Sequence, residues 1–401
     1  MSWPIVTLND IAINIVDGPF GSSLKTSDYV DEGVPVLQGK NITGNRFKFF
    51  DVRYITEKKA ESIKRSTVKV GDHLLVKIGS IGYSAIIDDL YGHDFAIIPA
   101  NLAKITPNKE IIDSRYLHRY LTSDSAIRYF QKIASKTAQP ALSLSKIKAL
   151  EIPLPPLEEQ RRIASILDQA DELRQKRQQA IEKLNQLLQA TFIDMFGDPV
   201  SNPKGFEVKK LSEQVDLIQI GPFGTQLHQE DYIENGIPLI NPSHIKNGKI
   251  IPNHKLTVSQ SKYEELTQYH LRLNDVLLGR RGEMGRCAVV TENEVGWLCG
   301  TGSLFLRPNL EKINPFFLEL LLSSDSIKRY LENVSQGQTM ANLNKTIVGS
   351  IPLISPSIEI QNKFFLIAEK IDKMKTELKS AKNQVNNLFS SLQNQAFNGT
   401  L

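Results

Sequence analysis

The sequence predicts an α+β protein in which two β-rich globular domains are separated by two long antiparallel helices that form a coiled-coil spacer, with an internal pseudo-two-fold duplication. Three observations lead to this prediction. A long segment occurs twice, each copy begins with short apolar runs between turn residues, and each copy ends with apolar residues spaced by three and four. The predicted divisions are 1–155 for the first globular domain, 156–197 for the first helix, 203–357 for the second globular domain and 358–401 for the second helix.

The composition is that of a globular protein. Of the 401 residues 41% are hydrophobic and 23% are charged, which excludes a disordered or collagen-like chain. Two cysteines, Cys287 and Cys299, are too few for a disulfide framework, and no signal peptide or membrane-length apolar stretch is visible, so we expect a cytoplasmic protein. The net charge of +4 does not by itself indicate a nucleic-acid binder, and a basic surface has to be argued locally.

The duplication runs at a nearly constant offset. GPFGSSLKTSDYVDEGVPVL starts at Gly18 and GPFGTQLHQEDYIENGIPLI starts at Gly221, an offset of 203. Further on, LTSDSAIRYF from Leu121 matches LSSDSIKRYL from Leu322, at an offset of 201. Because the match is long and colinear, it indicates a duplicated module of about half the chain and excludes a solenoid of short repeats.

The first part of each copy predicts a β-rich domain. Short β-branched or apolar runs are separated by turn residues, as in strands of a mixed or mainly β fold. These runs are VPVLQG, GDHLLVKI, SAIID and NLAKIT in the first copy, and IPLINP, NDVLLGR, CAVVT and SLFLRP in the second. One helical patch is predicted in each domain, over 114–133 and 315–334, and Pro315 suits a first helical turn.

The second part of each copy predicts a long helix with an apolar stripe. The stripe consists of Ile163, Leu167, Ala170, Ile181, Leu184, Leu188, Thr191 and Met195 in the first helix, and of Phe364, Ala368, Ile371, Leu378, Val385, Phe389, Leu392 and Ala396 in the second. Arg174 and Arg177 interrupt the first stripe. Tandem prolines precede the first helix, and Gly197 is expected to stop it. Each stripe needs a partner, so we expect the two helices to pair, either as a spacer or merely as a dimerisation device.

The sequence contains no recognisable catalytic constellation. It has no phosphate-binding loop, no His-x-x-x-His pair, and no cysteine with metal-ligand neighbours. The glycines at 279, 282 and 285 lack the spacing and context of a dinucleotide fingerprint, and they favour a tight turn between strands. The absence of these motifs favours a binding protein, with no catalytic residue, metal site or cofactor of its own.

The polar residues between the shared glycines and prolines differ between the copies, which suggests two domains that read different ligands on one scaffold. Arginine and glutamate side chains can contact base edges and phosphates. The candidate DNA-binding residues are Ser22, Ser23, Lys25, Lys40, Asn41, Lys77, Ser80, Tyr83, Thr225, Gln226, His228, His244, Lys246, Arg280, Arg281, Glu283 and Arg286. The alternative is that these loops are ordinary solvated turns, with an internal Arg–Glu pair in the second domain.

The chain resembles a specificity (S) subunit of a type I restriction–modification system. The resemblance rests on the two GPFG…DY…G-[IV]-P segments, on IPLPPLEEQRRI at the start of the first helix and on FGDP at its end. It covers essentially the whole chain, and PLPPLEEQ followed by a long helix is its most specific element. The resemblance implies two target-recognition domains, each reading one half of a split DNA site, with the gap set by the helical spacer.

The resemblance also implies partners. Two modification subunits would transfer a methyl group from S-adenosylmethionine to adenine, and restriction subunits that use ATP and magnesium would join them. The candidate partner-binding residues are Glu159, Gln160, Arg161, Arg162 and Gln361. The second helix begins SPSIEIQNKFF, without the tandem prolines and the arginine pair, which implies two unequal partner surfaces. Two alternatives stay open from the residues alone: an adenine methyltransferase acting by itself, and a coiled-coil scaffold whose globular domains bind proteins.

Overall fold

The computed structural model describes residues 3–19, 23–136, 139–282, 285–335 and 343–401. The chain divides into two compact units. The first unit comprises Met1–Gln179 with Leu378–Leu401, and the second comprises Ala180–Glu377. Each unit therefore contains one β-rich domain together with a segment of both long helices.

The first unit is built around two small sheets. Its strands are β1 (Ile5–Thr7), β2 (Ala12–Asp17), β3 (Tyr29–Val30), β4 (Val34–Val36), β5 (Ile42–Thr43), β6 (Arg46–Phe47), β7 (Arg53–Ile55), β8 (Thr67–Val68), β9 (His73–Val76), β10 (Ser84–Ile86), β11 (Ala96–Ile97), β12 (Leu102–Pro107) and β13 (Glu151–Pro153). One sheet has the antiparallel order β10-β9-β12-β2, and the other has the order β3-β7-β4-β11-β8, in which β4 and β11 are parallel. The pairs β1–β13 and β5–β6 complete the domain.

The helices of the first unit are α1 (Glu57–Ser62), α2 (Ser114–Leu121), α3 (Asp124–Ile133), α4 (Leu144–Lys148) and the long α5 (Leu157–Phe196), which continues into the second unit. The helical patch predicted over 114–133 consists of two helices, because α2 ends at Leu121 and a new helix begins after Ser123. The Ser123 hydroxyl accepts from the Ala126 N–H as the N-cap of α3. The end of α5 is as predicted: Gly197 has a φ of +72°, a left-handed conformation that favours glycine.

The strands of the second unit are β14 (Val208–Lys210), β15 (Val215–Ile220), β16 (Tyr232–Ile233), β17 (Ile237–Ile240), β18 (Ile245–Lys246), β19 (Lys249–Ile250), β20 (Thr257–Val258), β21 (Val276–Gly279), β22 (Cys287–Val289), β23 (Leu298–Cys299), β24 (Ser303–Pro308) and β25 (Pro352–Ile354). Its helices are α6 (Leu211–Gln214), α7 (Gln260–Glu265), α8 (Pro315–Ser323), α9 (Asp325–Ser335), α10 (Lys345–Gly349) and α11 (Ile358–Asn398). The sheet order β15-β24-β21-β22 repeats β2-β12-β9-β10 of the first unit, and β16-β20-β17-β23 repeats most of the other sheet.

The long helices pair antiparallel within each unit. In the first unit the Arg162 guanidinium donates to the Leu401 carbonyl at 2.9 Å, and the Lys382 ammonium donates to Gln178 at 2.6 Å. Residue numbers therefore rise along α5 as they fall along α11. In the second unit the Phe364 ring of α11 packs edge-on against the ring of Phe196, with centroids 5.5 Å apart.

The predicted apolar stripes are the faces that the helices bury. In the first unit Ile163, Leu167 and Phe389 join the main core of the globular domain, and so does Phe397, whose ring lies 5.6 Å from that of Tyr116. The predicted interruption at Arg174 is instead part of the packing. Its guanidinium lies 4.4 Å from the centre of the Phe389 ring while its Nε donates to Asn386.

The predicted fold class is confirmed: two β-rich domains, two long antiparallel helices and an internal duplication. The duplication extends to single hydrogen bonds. The backbone N–H of Lys77 donates to Asn101 just before β12, and that of Arg280 donates to Gly302 just before β24. Both cysteines are buried and free. In the described residues, no helix combines the length and apolar character that a membrane span requires.

The buried His73 and the half-buried His118 make the first unit sensitive to acid. His73 on β9 and His118 on α2 have ring centroids 6.4 Å apart, and neither nitrogen of His73 has a hydrogen-bond partner in the described structure. Burial, with a smaller contribution from His118, lowers the pKa of His73 from 6.5 to about 3. Burial, with a smaller contribution from Arg119, lowers the pKa of His118 to about 4.

We expect the free energy of unfolding to decrease as the pH falls from 6.5 towards 3, because the unfolded chain takes up these protons first. The equivalent of His73 in the second unit is the buried Val276. The substitution His73→Val should therefore reduce the number of protons taken up on unfolding by close to one per molecule. The free energy of unfolding at neutral pH should not decrease. Denaturant unfolding across this pH range measures it, with the exposed His254→Val as control. An unchanged pH slope in His73→Val would contradict the assignment.

Candidate nucleic-acid interface

Each GPFG segment begins where the chain leaves the edge strand of a sheet, and its first glycine packs directly against the backbone of a neighbouring loop. The Gly18 N–H donates to the Leu102 carbonyl at 3.3 Å, and the Gly221 N–H donates to the Ser303 carbonyl at 3.0 Å. A Cβ atom at Gly18 would lie 2.2 Å from the Pro99 carbonyl group, and one at Gly221 would lie 2.0 Å from the Gly300 oxygen. Only glycine fits this approach, which explains why both copies begin these loops in the same way.

The candidates that follow these glycines lie on loops. Ser23 and Lys25 are exposed in the first domain, and His228 is exposed in the second. Thr225 lies in a short 3-10 turn; Ser22 and the Thr225 side chain lie outside the described part of the structure. Gln226 is half-buried, and its Oε1 accepts from the Tyr269 hydroxyl at 2.7 Å.

Asn41 and His244, at equivalent positions, are buried within their own turns. The Asn41 amide donates to the carbonyls of Lys48 and Phe50, and its Oδ1 accepts from the Gln38 N–H. The His244 Nδ1 accepts from the Asn241 N–H at 3.3 Å, and burial lowers the pKa of this histidine. These side chains shape the turns that carry the exposed Lys246 and the half-buried Lys40. Lys40 is paired with Asp51.

Lys77 and Arg280 occupy equivalent, largely buried positions beneath the glycine turns. The Lys77 ammonium contacts the Asp17 carboxylate at 2.6 Å. The Arg280 Nε donates to the Leu343 carbonyl at 2.8 Å, and burial, with a smaller effect of the neighbouring Arg281, lowers its pKa. The structure thus gives both side chains partners inside their own domains.

The tips of the glycine turns carry the most exposed candidates. Ser80 and Tyr83 are exposed in the first domain; in the second, Arg281 is exposed and Arg286 is half-buried. Glu283 lies outside the described residues. In the first domain Asn45 accepts from the Ser84 N–H at 3.1 Å, which brings the turn after Lys40 against the strand that follows Tyr83. In the second domain Lys246 and Arg286 line one cavity.

The candidate partner-binding residues divide into surface and interior. Gln160 and Gln361 are buried, and each side chain satisfies three backbone groups. Gln160 accepts from the Asp113 N–H at 2.8 Å and donates to the Ile111 and Pro155 carbonyls, and Gln361 does the same at Asn314, Lys312 and Pro356. These glutamines join the start of each long helix to its globular domain.

The surface members are Arg161, Arg162 and Glu159, the last of which is half-buried. The Arg162 guanidinium forms a bidentate pair with Glu159 at 2.7 and 2.8 Å. This pairing lowers the pKa of Glu159 and raises that of Arg162. A partner surface at this point of the first unit would consequently consist of these charged side chains. The buried Gln160 would support it by holding the start of the helix against the domain.

Sequence reasoning missed two side chains of the second domain. Glu319 of α8 and Lys328 of α9 line the same cavity as Lys246 and Arg286. Burial raises the pKa of Glu319 to about 7. The sequence signal that could have identified them is that both residues differ from the first copy, where His118 and Ile127 occupy the equivalent positions. In the described residues no group of three or more His, Cys, Asp or Glu side chains is arranged to hold a metal ion.

Comparison with known proteins follows the duplication. The sequence profile of the type I restriction modification DNA specificity domain matches twice, over residues 2–183 and 203–387. A Methanocaldococcus jannaschii protein named as the MjaX specificity subunit of a type I restriction enzyme is 26% identical over 410 residues, covering 96% of this chain and 92% of its own. The type I restriction enzyme EcoBI specificity subunit of Escherichia coli is 25% identical over 432 residues, covering 100% of this chain and 86% of its own.

Two solved structures share the fold. A chain from a study of complex assembly and conformational transition in a type I R-M system has a TM-score of 0.59 at 18% identity, covering 100% of this chain and 98% of that one. The type I restriction–modification S subunit from M. genitalium has a TM-score of 0.57 at 17% identity, covering 99% of this chain and 96% of its own. At these identities the similarity concerns the fold alone.

Proposed function

The chain belongs to the family of type I restriction modification DNA specificity domains, of which it carries two copies, and we propose that it reads a split DNA target with one globular domain on each half-site. DNA target recognition within a type I complex is the function of the family. The finer proposal is that the domains predicted at 1–155 and 203–357 read different sequences, while the helices at 156–197 and 358–401 fix the gap.

One observation carries this proposal: the two domains share a scaffold but differ at equivalent loop positions. The glycines that leave the sheet, the buried turn residues and the strand orders correspond. The side chains at the loop tips differ, since the exposed Tyr83 corresponds to the half-buried Arg286 and the exposed Lys25 corresponds to the exposed His228. Base edges in the major groove differ in their donors and acceptors, so different side chains on one scaffold select different sequences.

The catalytic steps are assigned to other chains. We propose that two modification subunits bind this subunit and transfer methyl from S-adenosylmethionine to adenine, and that restriction subunits using ATP and magnesium join them. Glu159, Arg161 and Arg162 are the proposed partner contacts of the first unit, and Gln160 and Gln361 hold the helix starts in place. Because the two recognition domains belong to one subunit, binding of the second half-site becomes effectively intramolecular once the first half-site is bound.

Footprinting of the assembled complex on genomic fragments tests the proposal. We expect two protected segments separated by an unread gap of constant length. A complex that protects no DNA would instead favour a coiled-coil scaffold that binds proteins. Methylation by the purified chain without any partner would favour an adenine methyltransferase acting alone.

A further inference from the structure

The second domain contains a cavity of about 370 Å³ at its candidate DNA-binding loops. Its walls come from the β18–β19 hairpin, the start of β22, and the helices α8 and α9. Three cationic side chains line it, one from each of three elements: Lys246 from the hairpin, Arg286 before β22 and Lys328 from α9. Such a concentration of positive charge in one concave site is suited to an anion.

The backbone is built to hold Lys328 at this cavity. Gly285 has a φ of +76°, and a Cβ atom there would lie 2.4 Å from Cγ of Lys328 and 3.0 Å from the Leu322 carbonyl oxygen. Any other residue at this position would displace the lysine stem. The glycine therefore serves both the turn and the seating of the cation.

Among the residues that the structure describes, Glu319 is the one carboxyl group that lines the cavity. A Cβ atom at Gly248, the tip of the hairpin, would lie 3.2 Å from its Oε1, so the carboxyl group lies directly under the turn. The charged groups that line the cavity with it are Lys246, Arg286 and Lys328, and the Cys287 sulfur lies 4.0 Å from its Oε1. Burial raises the pKa of Glu319 to about 7, so both protonation states are populated near neutral pH.

The first domain lacks this arrangement. The equivalents of Lys246, Arg286 and Lys328 are Thr43, Tyr83 and Ile127, and that of Glu319 is His118. In addition, the Asn45 side chain closes the hairpin onto the strand by accepting from the Ser84 N–H. The cationic cavity is thus a feature of the second domain and not of the shared scaffold.

Resting on the proposed DNA recognition, we propose that this cavity binds a phosphate group of the target duplex and that ionisation of Glu319 weakens this binding. A neutral carboxyl group can donate a hydrogen bond to a phosphate oxygen, whereas a carboxylate repels the phosphate and compensates one of the cations. DNA affinity of the second domain then decreases as the pH rises through about 7.

Binding of the complex assembled with the modification subunits to a duplex carrying its mapped target tests this, at constant ionic strength, about one pH unit below and above 7. We expect affinity about tenfold lower at the higher pH, the typical worth of one charged hydrogen bond. Glu319→Gln should bind at both pH values as tightly as the unchanged chain does at the lower one. Lys328→Met should bind weakly at both. Glu311→Gln, an exposed carboxyl in the same domain, should behave as the unchanged chain.

Equal pH dependence in the unchanged chain and in Glu319→Gln would overturn the inference, and so would unaltered affinity in Lys328→Met. Competition with inorganic phosphate tests whether the cavity binds a phosphate of DNA or only the free anion. Strong binding of inorganic phosphate that leaves the DNA affinity unchanged would overturn the DNA assignment. An assembled complex that binds no DNA at either pH contradicts the proposed function itself, which separates the two failures.

Discussion

Replacing the buried Gln160 by alanine is expected to destabilise the first unit by about 3 kcal/mol, because three backbone groups lose their partner. The Asp113 N–H and the carbonyls of Ile111 and Pro155 all bond to this one amide. Since Gln160 lies in the first turn of α5, its loss also loosens the joint between helix and domain. Thermal unfolding of the full chain measures the effect.

Gln361→Ala provides the matched experiment, because it bonds to the equivalent groups in the second unit. The two losses should be nearly additive, as the glutamines share no partner. Gln186→Ala, on the exposed face of α5, serves as the control and should be close to neutral. A Gln160→Ala protein as stable as this control would show that the buried amide does not secure the joint.

A fragment of residues 1–200 is expected to dimerise. In the intact chain the first unit includes Leu378–Leu401, which contributes the core residues Phe389, Ala396 and Phe397. Removing this segment exposes their binding groove on the domain. The duplication offers a substitute, because Leu188 and Phe196 of α5 correspond to Phe389 and Phe397. Two copies can therefore fill each other's groove, in the manner of an isologous dimer.

Sedimentation of this fragment should give twice the monomer mass. The double substitution Leu188→Asp and Phe196→Asp should give a monomer, because it places charges at the positions that fill the groove. With the modification subunits added, the dimer should direct methylation to an inverted repeat of one half-site. A strictly monomeric fragment would contradict the interchangeable role of the two helices.

The overall architecture was predictable because it depends on repeated, periodic signals. The nearly constant offset between the copies and the three-and-four spacing of apolar residues are each carried by many residues, so a change at one position does not hide them. Both signals reflect large buried surfaces. The break at Ser123 was missed because a single capping side chain decides it. The sequence predicts an interruption at Arg174 because its stacking on Phe389 depends on which helix lies opposite, and residue spacing does not reveal this.

For the candidate interface, the sequence indicates loops but not individual side chains. Divergence between the copies points to the glycine-bounded turns, but it does not separate exposed side chains from the buried ones that shape each turn, as Asn41 and His244 show. The contacts between the short helices and the long helix were equally unpredictable, because they differ between the two units. In the first unit Arg119 binds Asp168 at 2.8 Å and Asp171 at 3.1 Å. In the second unit the Phe316 ring stacks on the Phe365 ring, with centroids 4.6 Å apart.

Mapping methylated adenines across the genome of the source organism, with and without an intact copy of this chain, tests the central claim most directly. We predict one methylated sequence with two specific parts separated by a gap of constant length, and its loss when the chain is removed. A methylated sequence that is contiguous, or one that persists without this chain, would contradict the account.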